Sequence, residues 1–354
     1  MAEQISEEVH QRRREALAGR LGTDAALITR PVNVRYLTGL ASSNAALLVR
    51  ADGGAVLATD GRYAGTAARV CSGIEIVIDR AVAAVLLDRT AGPVAFEAHE
   101  MTVEQHAGLF DGREGVPLGR VVEDLRMVKD ESEIALLRRA CEITDRAFAA
   151  VLPTIVPGVT EKEVAVVLER HMIDLGADGI AFETIVASGP NGAIPHHEPG
   201  GRAVADGDLV TMDFGALVGG YHADMTRTVA VGTVATWQKE LYDLVATAQE
   251  AGWRAAVPGA DTRDVDAAAR DLISAAGHAG DFPHGLGHGV GLEIHEAPLL
   301  GHSTAGKLRD RVPLTAEPGV YLAGRGGVRI EDTLVVRDSG PELLTQTTKE
   351  LLVL

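Results

Sequence analysis

Cysteine, long apolar runs and positive charge are all in short supply in this 354-residue chain. Cys71 and Cys141 lack the close spacing of a metal-binding pair, so we expect two buried thiols rather than a disulfide. No apolar run approaches the roughly 20 residues that a membrane-spanning helix needs. The N-terminal segment 1–20 is polar and of mixed charge, without the apolar centre of a signal peptide. The sequence therefore predicts a cytoplasmic protein with no membrane partner.

The charge balance disfavours a nucleic-acid partner. Lys and Arg number 33 against 50 Asp and Glu, which gives a formal net charge of −17. Hydrophobic residues make up 46% of the chain and charged residues 23%, as in ordinary globular proteins. The length predicts two domains, which we place at 1–121 and 122–354 because glycine and proline interrupt the segment 111–122.

The first domain alternates strand-like and helix-like segments, which predicts an α/β fold. The expected helices cover 5–21, 62–70, 82–88 and 103–110, and the expected strands cover 25–29, 45–49, 56–59, 74–78 and 94–98. Its charged residues form no chemical constellation, so we expect it to support or cover the substrate rather than to catalyse.

The second domain shows two helices followed by a strand pair, and this order occurs twice. The expected helices cover 131–152, 160–175, 236–257 and 261–276. Thr160 followed by Glu163 is a capping-box pattern, and Asp261 is an expected N-cap. The pattern indicates an α+β domain built from two similar halves.

The segment 208–228, DLVTMDFGALVGGYHADMTRT, carries an aspartate on each of two strand-like runs. A hairpin turning at Val218–Gly219 would place Asp213 opposite Asp224. Two carboxylates so close repel each other unless a proton or a cation lies between them. The alternative is one buried aspartate and one aspartate at a solvated turn, and this hairpin alone leaves both open.

A second acidic hairpin is expected at 315–333, TAEPGVYLAGRGGVRIEDT, where a turn around Gly324 places Glu317 opposite Glu331. Between the hairpins lies 284–296, HGLGHGVGLEIHE, with three histidines and four glycines. Oxygen donors with added imidazole suit two divalent metals. A single calcium site is the alternative, but ligands spread so widely along the chain argue against a local calcium loop.

The motifs MDFG, ADMTRT, GHGVGLEIHE, AEPGVY and GVRIEDT resemble those of the pita-bread metallopeptidases, in the branch of aminopeptidase P and prolidase that creatinase also shares. DAALITRPVNVRYLTG at 24–39 resembles the start of that family's N-terminal domain, and 122–148 resembles the entry to its catalytic domain. The resemblance implies a creatinase-type α/β domain followed by a pseudo-twofold α+β pita-bread domain. It implies five metal ligands: Asp213, Asp224, His288, Glu317 and Glu331.

The resemblance also implies the chemistry. Two divalent metals would share a hydroxide that attacks the peptide carbonyl, with Mn²⁺ favoured and Co²⁺ or Zn²⁺ as alternatives. Asp213 and Glu331 would bridge the metals. Glu317 would take a proton from the nucleophile and pass it to the leaving nitrogen.

Three histidines and one arginine complete the implied site. His196 and His295 would stabilise the negative charge that develops on the carbonyl oxygen, and His197 competes with His196 for that role. His284 is expected to bind substrate, with a structural hydrogen bond as the alternative. Arg329 would hold a carboxylate ligand in place, with a surface arginine as the alternative.

The function implied is a metal-dependent Xaa-Pro aminopeptidase acting on peptides with proline in second place, and the nearest alternative is an Xaa-Pro dipeptidase. Leu299 stands where some prolidases carry an arginine for the dipeptide's carboxylate, although Arg309 or Arg311 could replace it. A creatinase-like amidinohydrolase and a metal-free binding module are less favoured, because the set of five ligands is intact. By analogy with relatives we expect a homodimer.

Overall fold

The computed structural model describes residues 5–354, which divide into two compact units. One unit ends at Arg126 and the other spans Met127–Leu354, so the division falls within the last helix of the first unit. No helix in this described part of the chain combines the length and apolar character that a membrane crossing requires.

The first unit is a mixed six-stranded sheet with helices, which confirms the predicted α/β class. Its helices are α1 (Glu7–Ala18), α2 (Pro31–Thr38), α3 (Ala64–Val70), α4 (Val82–Leu87), α5 (Val103–Leu109) and α6 (Val121–Met127). Its strands are β1 (Ala25–Ile28), β2 (Ala45–Arg50), β3 (Ala55–Thr59), β4 (Glu75–Ile78), β5 (Val94–Phe96) and β6 (Gly115–Pro117). The strand order is β4-β3-β2-β1-β5-β6, with β1–β2 and β2–β3 antiparallel and the other pairs parallel.

Helix α2 is an element that the sequence analysis does not predict. Its ends are nonetheless marked in the sequence, because Pro31 occupies the first turn and Gly39 ends the helix at φ +78°. Proline costs little where the helix has no internal partner for the N–H, and glycine tolerates the left-handed conformation. The two cysteines are free and buried, as expected.

The second unit contains four long helices, each close to its predicted bounds. They are α7 (Glu131–Val151), α8 (Glu161–Asp174), α9 (Thr236–Ala255) and α10 (Thr262–Ala275). Thr160 and Glu163 form the predicted capping box, and Asp261 caps α10 by accepting a hydrogen bond from the backbone N–H of Arg263. These caps satisfy amide groups that the first turn leaves unpaired.

The strands of the second unit form small antiparallel sheets. They are β7 (Gly179–Ile180), β8 (Ile185–Ser188), β9 (Leu209–Phe214), β10 (Ala216–Val218), β11 (Tyr221–His222), β12 (Met225–Ala230), β13 (Gly287–Gly289), β14 (Glu296–Leu300), β15 (Pro313–Ala316), β16 (Gly319–Leu322), β17 (Gly326–Arg329), β18 (Asp332–Val335) and β19 (Glu342–Leu343). The central orders are β12-β9-β8 and β14-β13-β15-β18-β19. Each half of this unit thus supplies two helices and one acid-bearing hairpin, in agreement with the predicted α+β class.

One buried cluster joins the helices and hairpins of the second half. Leu241 and Val245 of α9, Ile273 of α10 and Leu314 and Leu334 of the sheet all belong to it. Because these side chains are almost fully removed from water, burial fixes the strands that carry the acidic residues.

Candidate metal centre and substrate pocket

The first acidic hairpin is formed by β9 and β12, but its register differs from the predicted one. Asp213 lies opposite Thr226, not opposite Asp224. The chain turns at Gly219 and Gly220, which both have positive φ, +59° and +86°. A two-residue hairpin turn of type I′ needs positive φ at both central positions, so the glycine pair sets the register. Asp213 and Asp224 are therefore diagonal neighbours on one face of the hairpin.

Gly215 allows the two strands of this hairpin to approach closely beside Asp224. A Cβ atom at Gly215 would lie 1.8 Å from the carbonyl oxygen of Ala223, a distance that no side chain could occupy. Glycine is thus required at this point of the MDFG motif, where the chain passes from Asp213 into the next strand.

The second acidic hairpin has the predicted register. Ala316 lies opposite Asp332 in one ladder, and Gly319 lies opposite Arg329 in the next. Glu317 and Glu331 fall between these ladders, so their amides are free to bond elsewhere. The N–H of Glu317 donates to the oxygen of Leu286 at 2.8 Å, and the N–H of Glu331 donates to the oxygen of Thr226 at 3.1 Å. The second contact ties one acidic hairpin to the other.

His288 lies on β13 with its ring fixed by the backbone. Nδ1 is 3.0 Å from the carbonyl oxygen of Gly289, so this nitrogen carries the hydrogen and Nε2 is left for the acidic cluster. Nε2 lies 3.3 Å from Oε1 of Glu317 and 3.6 Å from Oδ2 of Asp224. Burial alone would lower the pKa of His288, but the hydrogen bond and charge of Glu317 outweigh it and raise that pKa.

Ligand atoms of Asp224, His288 and Glu331 all lie within 4.8 Å of one another. Burial, followed by the neighbouring carboxylates, raises the pKa of Asp224 and of Glu331 well above the usual range. Oδ1 of Asp213 and Oε1 of Glu331 are buried and have no hydrogen-bond partner within the described residues. Crowded carboxylates with unpartnered oxygens are the arrangement that a divalent cation satisfies, so the donor set fits a metal.

Arg329 lies behind this cluster and is almost fully buried, with 3% of its surface exposed. Nη2 donates to Oδ2 of Asp213 at 2.7 Å, Nη1 to the hydroxyl of Tyr321 at 2.9 Å and Nε to Oγ1 of Thr226 at 3.1 Å. Thr226 in turn donates to Oε2 of Glu331 at 2.7 Å. One guanidinium therefore orients carboxylates of both hairpins, directly for Asp213 and through Thr226 for Glu331.

Tyr321 and Thr226 are site residues that the sequence analysis did not select. Tyr321 lies in the motif AEPGVY and Thr226 lies in ADMTRT. Their positions within these motifs are the sequence feature that could have identified them as site residues. Burial raises the pKa of Tyr321 to about 12, so its phenol keeps its proton. That proton is available to Nε2 of His284, 2.8 Å away.

His284 has both ring nitrogens engaged within the protein. Nδ1 lies 2.8 Å from the carbonyl oxygen of Gly285, and Nε2 accepts from Tyr321. Burial lowers the pKa of His284, which favours the neutral ring that this pattern needs. His284 lines the substrate cavity, but its role in binding substrate remains a prediction.

A cavity of about 760 Å³ opens over the acidic cluster. Five residues at its floor are Asp213, Asp224, His288, Glu317 and Arg329, and the lining also includes His196, His197 and His295. The ring centres of His295 and His288 are 4.4 Å apart, edge to face. Nε2 of His197 lies 2.8 Å from Oε2 of Glu161, whereas the side chain of His196 is exposed at the cavity wall.

The cavity wall is poor in positive charge. Arg329 is the one arginine or lysine that lines it in residues 5–354, and its guanidinium is engaged by Asp213. Leu299 is 55% exposed and lines the cavity, while Arg309 and Arg311 lie outside the lining. Glu183 and Glu198 add negative charge to the wall.

Comparison with known proteins agrees with this geometry. Residues 135–338 match the model of metallopeptidase family M24, and residues 11–128 match that of the creatinase/prolidase N-terminal domain. An Xaa-Pro dipeptidase of Pyrococcus furiosus is 43% identical over 232 residues, which are 66% of this chain and 67% of that protein.

Two solved structures are similar over nearly the whole chain. An Xaa-Pro dipeptidase from Bacillus anthracis superposes with a TM-score of 0.93 at 36% identity and covers 99% of this chain and 100% of its own. An X-Pro aminopeptidase from Thermotoga maritima superposes with a TM-score of 0.90 at 34% identity and covers 97% of this chain and 99% of its own. Relatives with both modes of cleavage therefore share this fold.

Proposed function

The chain belongs to metallopeptidase family M24, and on that premise we propose that it is an Xaa-Pro aminopeptidase, which releases the residue before a proline from peptides of three or more residues. Relatives named for Xaa-Pro cleavage support the choice of bond. An Xaa-Pro bond is a tertiary amide without an N–H, so a site that acts on the carbonyl suits it.

Asp213, Asp224, His288, Glu317 and Glu331 would hold two divalent metals at the proposed site. The unpartnered oxygens of Asp213 and Glu331 support this assignment, because each carboxylate has one oxygen held by the protein and one left over for a cation. When bound, the metals supply Lewis acidity toward the carbonyl and an activated water. Mn²⁺ as the preferred metal, a homodimer and a cytoplasmic location belong to the same proposal.

Glu317 is the proposed proton carrier. Its Oε1 lies 3.3 Å from Nε2 of His288, and its side chain lines the cavity. An ionised carboxylate at the cavity floor can accept a proton from the attacking water. It then returns the proton to the proline nitrogen, which must be protonated to leave.

His295 and His196 are the proposed donors to the carbonyl oxygen as it gains negative charge. Burial, with the charge of His288, lowers the pKa of His295, which favours a neutral imidazole with one N–H to donate. A donor fixed beforehand at the developing charge stabilises the transition state more than the ground state.

The scarcity of positively charged side chains around the cavity is the observation that most directly supports an aminopeptidase. A dipeptidase must recognise a carboxylate directly after proline, and a charged hydrogen bond is the physical means. Arg329 is engaged by Asp213, and exposed Leu299 offers no hydrogen bond. The dipeptidase alternative is supported by relatives that carry that name.

The test is to compare kcat/KM for Gly-Pro and Gly-Pro-Ala with Mn²⁺ or Co²⁺ supplied. We expect the tripeptide to be cleaved at least as well as the dipeptide, with Gly-Ala-Ala as the control for proline. Leu299→Arg should shift the preference toward Gly-Pro, because the new guanidinium can pair with the carboxylate. A strong preference of the unmodified enzyme for Gly-Pro would establish the dipeptidase instead.

A further inference from the structure

Glu161, the first residue of α8, is a fully buried carboxylate with both oxygens engaged. Oε1 accepts from the N–H of Ser188 at 2.8 Å, its hydroxyl at 2.8 Å and the amide of Asn191 at 2.9 Å. Oε2 accepts from Nε2 of His197 at 2.8 Å and the N–H of Gly200 at 3.2 Å. Five donors converge on one side chain that the mechanism above does not use.

These donors lie at both ends of the loop 189–200 and within it. This loop carries His196 and His197 to the cavity wall. Backbone contacts repeat the attachment, since the N–H of Glu161 donates to the oxygen of Arg202 at 3.1 Å and the N–H of Lys162 to that of Gly200 at 3.1 Å. The start of α8 therefore holds the two ends of the loop 189–200 together.

The same network reaches the strand that carries Asp213. Nη1 of Arg202 donates to the hydroxyl of Ser188 and to Oδ2 of Asp208, each at 2.6 Å. Asp208 immediately precedes β9. Glu161 is thus linked through Ser188 and Arg202 to the base of the first acidic hairpin.

We infer that Glu161 is a positioning residue for the hydrolysis: it fixes the loop 189–200 and holds His197 with its hydrogen on Nε2, which leaves Nδ1 as the free ring nitrogen. An ionised carboxylate only accepts hydrogen bonds, so the imidazole must be the donor in this pair. This inference rests on the proposed function for its kinetic consequence, but the state of the His197 ring does not depend on that function.

The hydrogen bonds account for an ionised Glu161. Burial raises the pKa of the carboxyl, but the bonds from His197, Ser188 and Asn191 outweigh it, so that the pKa lies below its usual value. A glutamine at this position keeps the shape, but its amide nitrogen only donates and can accept a hydrogen bond from neither His197 nor Gly200. The conservative substitution therefore disturbs this contact in particular.

The experiment compares Glu161→Gln with Glu163→Gln. Glu163 lies on the same first turn of α8, and its Oε2 accepts a hydrogen bond from the N–H of Thr160 at 2.8 Å, which belongs to the capping box. We expect Glu161→Gln to lower kcat/KM by about 10–100-fold, the range typical of residues that orient catalytic groups, with the loss mainly in kcat. Its metal content and melting temperature should match those of Glu163→Gln, which should retain activity.

Two further measurements separate positioning from a general structural effect. In His197→Asn, adding Glu161→Gln should cost less than it does alone, because the two residues act together. In ¹⁵N–¹H correlation spectra of Zn²⁺-loaded protein, His197 should carry hydrogen on Nε2, and Glu161→Gln should move it to Nδ1. The His197→Asn spectrum assigns the signal.

Normal kcat/KM in Glu161→Gln, or a loss that follows metal content or melting temperature, would overturn the inference. Failure of the unmodified enzyme to cleave any Xaa-Pro peptide would instead refute the proposed function. In that case the ring spectra alone decide whether Glu161 sets the state of His197.

Discussion

Nη2 of Arg329 donates to Oδ2 of Asp213 at 2.7 Å, while Oδ1 of the same carboxylate has no hydrogen-bond partner among residues 5–354. The guanidinium thereby orients the carboxylate through one oxygen and leaves the other oxygen without a hydrogen bond. Since Arg329 also contacts Thr226, which holds Glu331, the same group sets the orientation of two proposed ligands.

Replacing Arg329 by lysine should lower kcat/KM by about 10–100-fold and reduce metal affinity, because an ammonium cannot reproduce three hydrogen bonds in one plane. Metal content after dialysis and peptide kinetics measure the two effects. Arg325→Lys is the matched control, since Arg325 lies on the same hairpin but stacks on Trp237 at 4.1 Å, away from the cluster. Equal behaviour of the two variants would contradict the proposed role of Arg329.

Glu317→Gln should reduce kcat by roughly 10²–10⁴-fold with a smaller change in KM, because the amide cannot carry the proton. The residue lies 3.3 Å from Nε2 of His288 and lines the cavity. Kinetics are measured with metal content verified, since Glu317 is also a proposed ligand. Turnover near normal in a metal-replete variant would exclude the proton-transfer role.

Removal of metal should abolish hydrolysis and lower the melting temperature, because the carboxylates of the cluster then repel one another without compensation. A ligand at 100 times its Kd stabilises the folded state by about 2.7 kcal/mol. Calorimetry with chelator and with re-added Mn²⁺, Co²⁺ or Zn²⁺ measures the shift, and elemental analysis should give two ions per chain. Asp224→Asn should show a smaller metal-dependent shift. A melting temperature indifferent to metal would count against the site.

Lys129→Met should destabilise the second unit by about 3–5 kcal/mol, the usual cost of breaking a buried ion pair from one side. Nζ of Lys129 lies 2.7 Å from Oε2 of Glu296, and the side chains are 1% and 6% exposed. The matched control is Lys239→Met, whose partner Asp243 forms an exposed pair worth at most about 1 kcal/mol. Urea unfolding followed by tryptophan fluorescence compares them, and equal midpoints would refute the prediction.

Local patterns in the sequence predict most of the helices and strands. The capping box at Thr160 and the N-cap at Asp261 mark helix starts because they satisfy amides within the same turn. The predicted register of the first hairpin is wrong because it rests on a turn at Val218–Gly219. The positive φ angles at Gly219 and Gly220 set it one position later, which exchanges Asp224 for Thr226 opposite Asp213.

Contacts between residues that are far apart in the sequence cannot be predicted from local sequence patterns. Nothing in the spacing of Glu161 and His197 shows that they meet, since folding alone brings that helix start to that loop. The contact between Arg329 and Asp213 depends likewise on the packing of one hairpin onto another. The proposed ligands and Arg329 are predictable because each lies in a motif that resembles a known family, whereas the contact of Glu161 with His197 is recognised only in three dimensions.

The division of the acidic residues between two hairpins also orders events during protein synthesis. Asp213 and Asp224 emerge from the ribosome first, and Glu331 emerges last, after a stretch that takes roughly 5–20 s to translate at about 5–20 residues per second. Until then the nascent chain lacks at least one of the glutamates that complete the cluster. Full-affinity metal uptake should therefore wait until the second acidic hairpin has emerged.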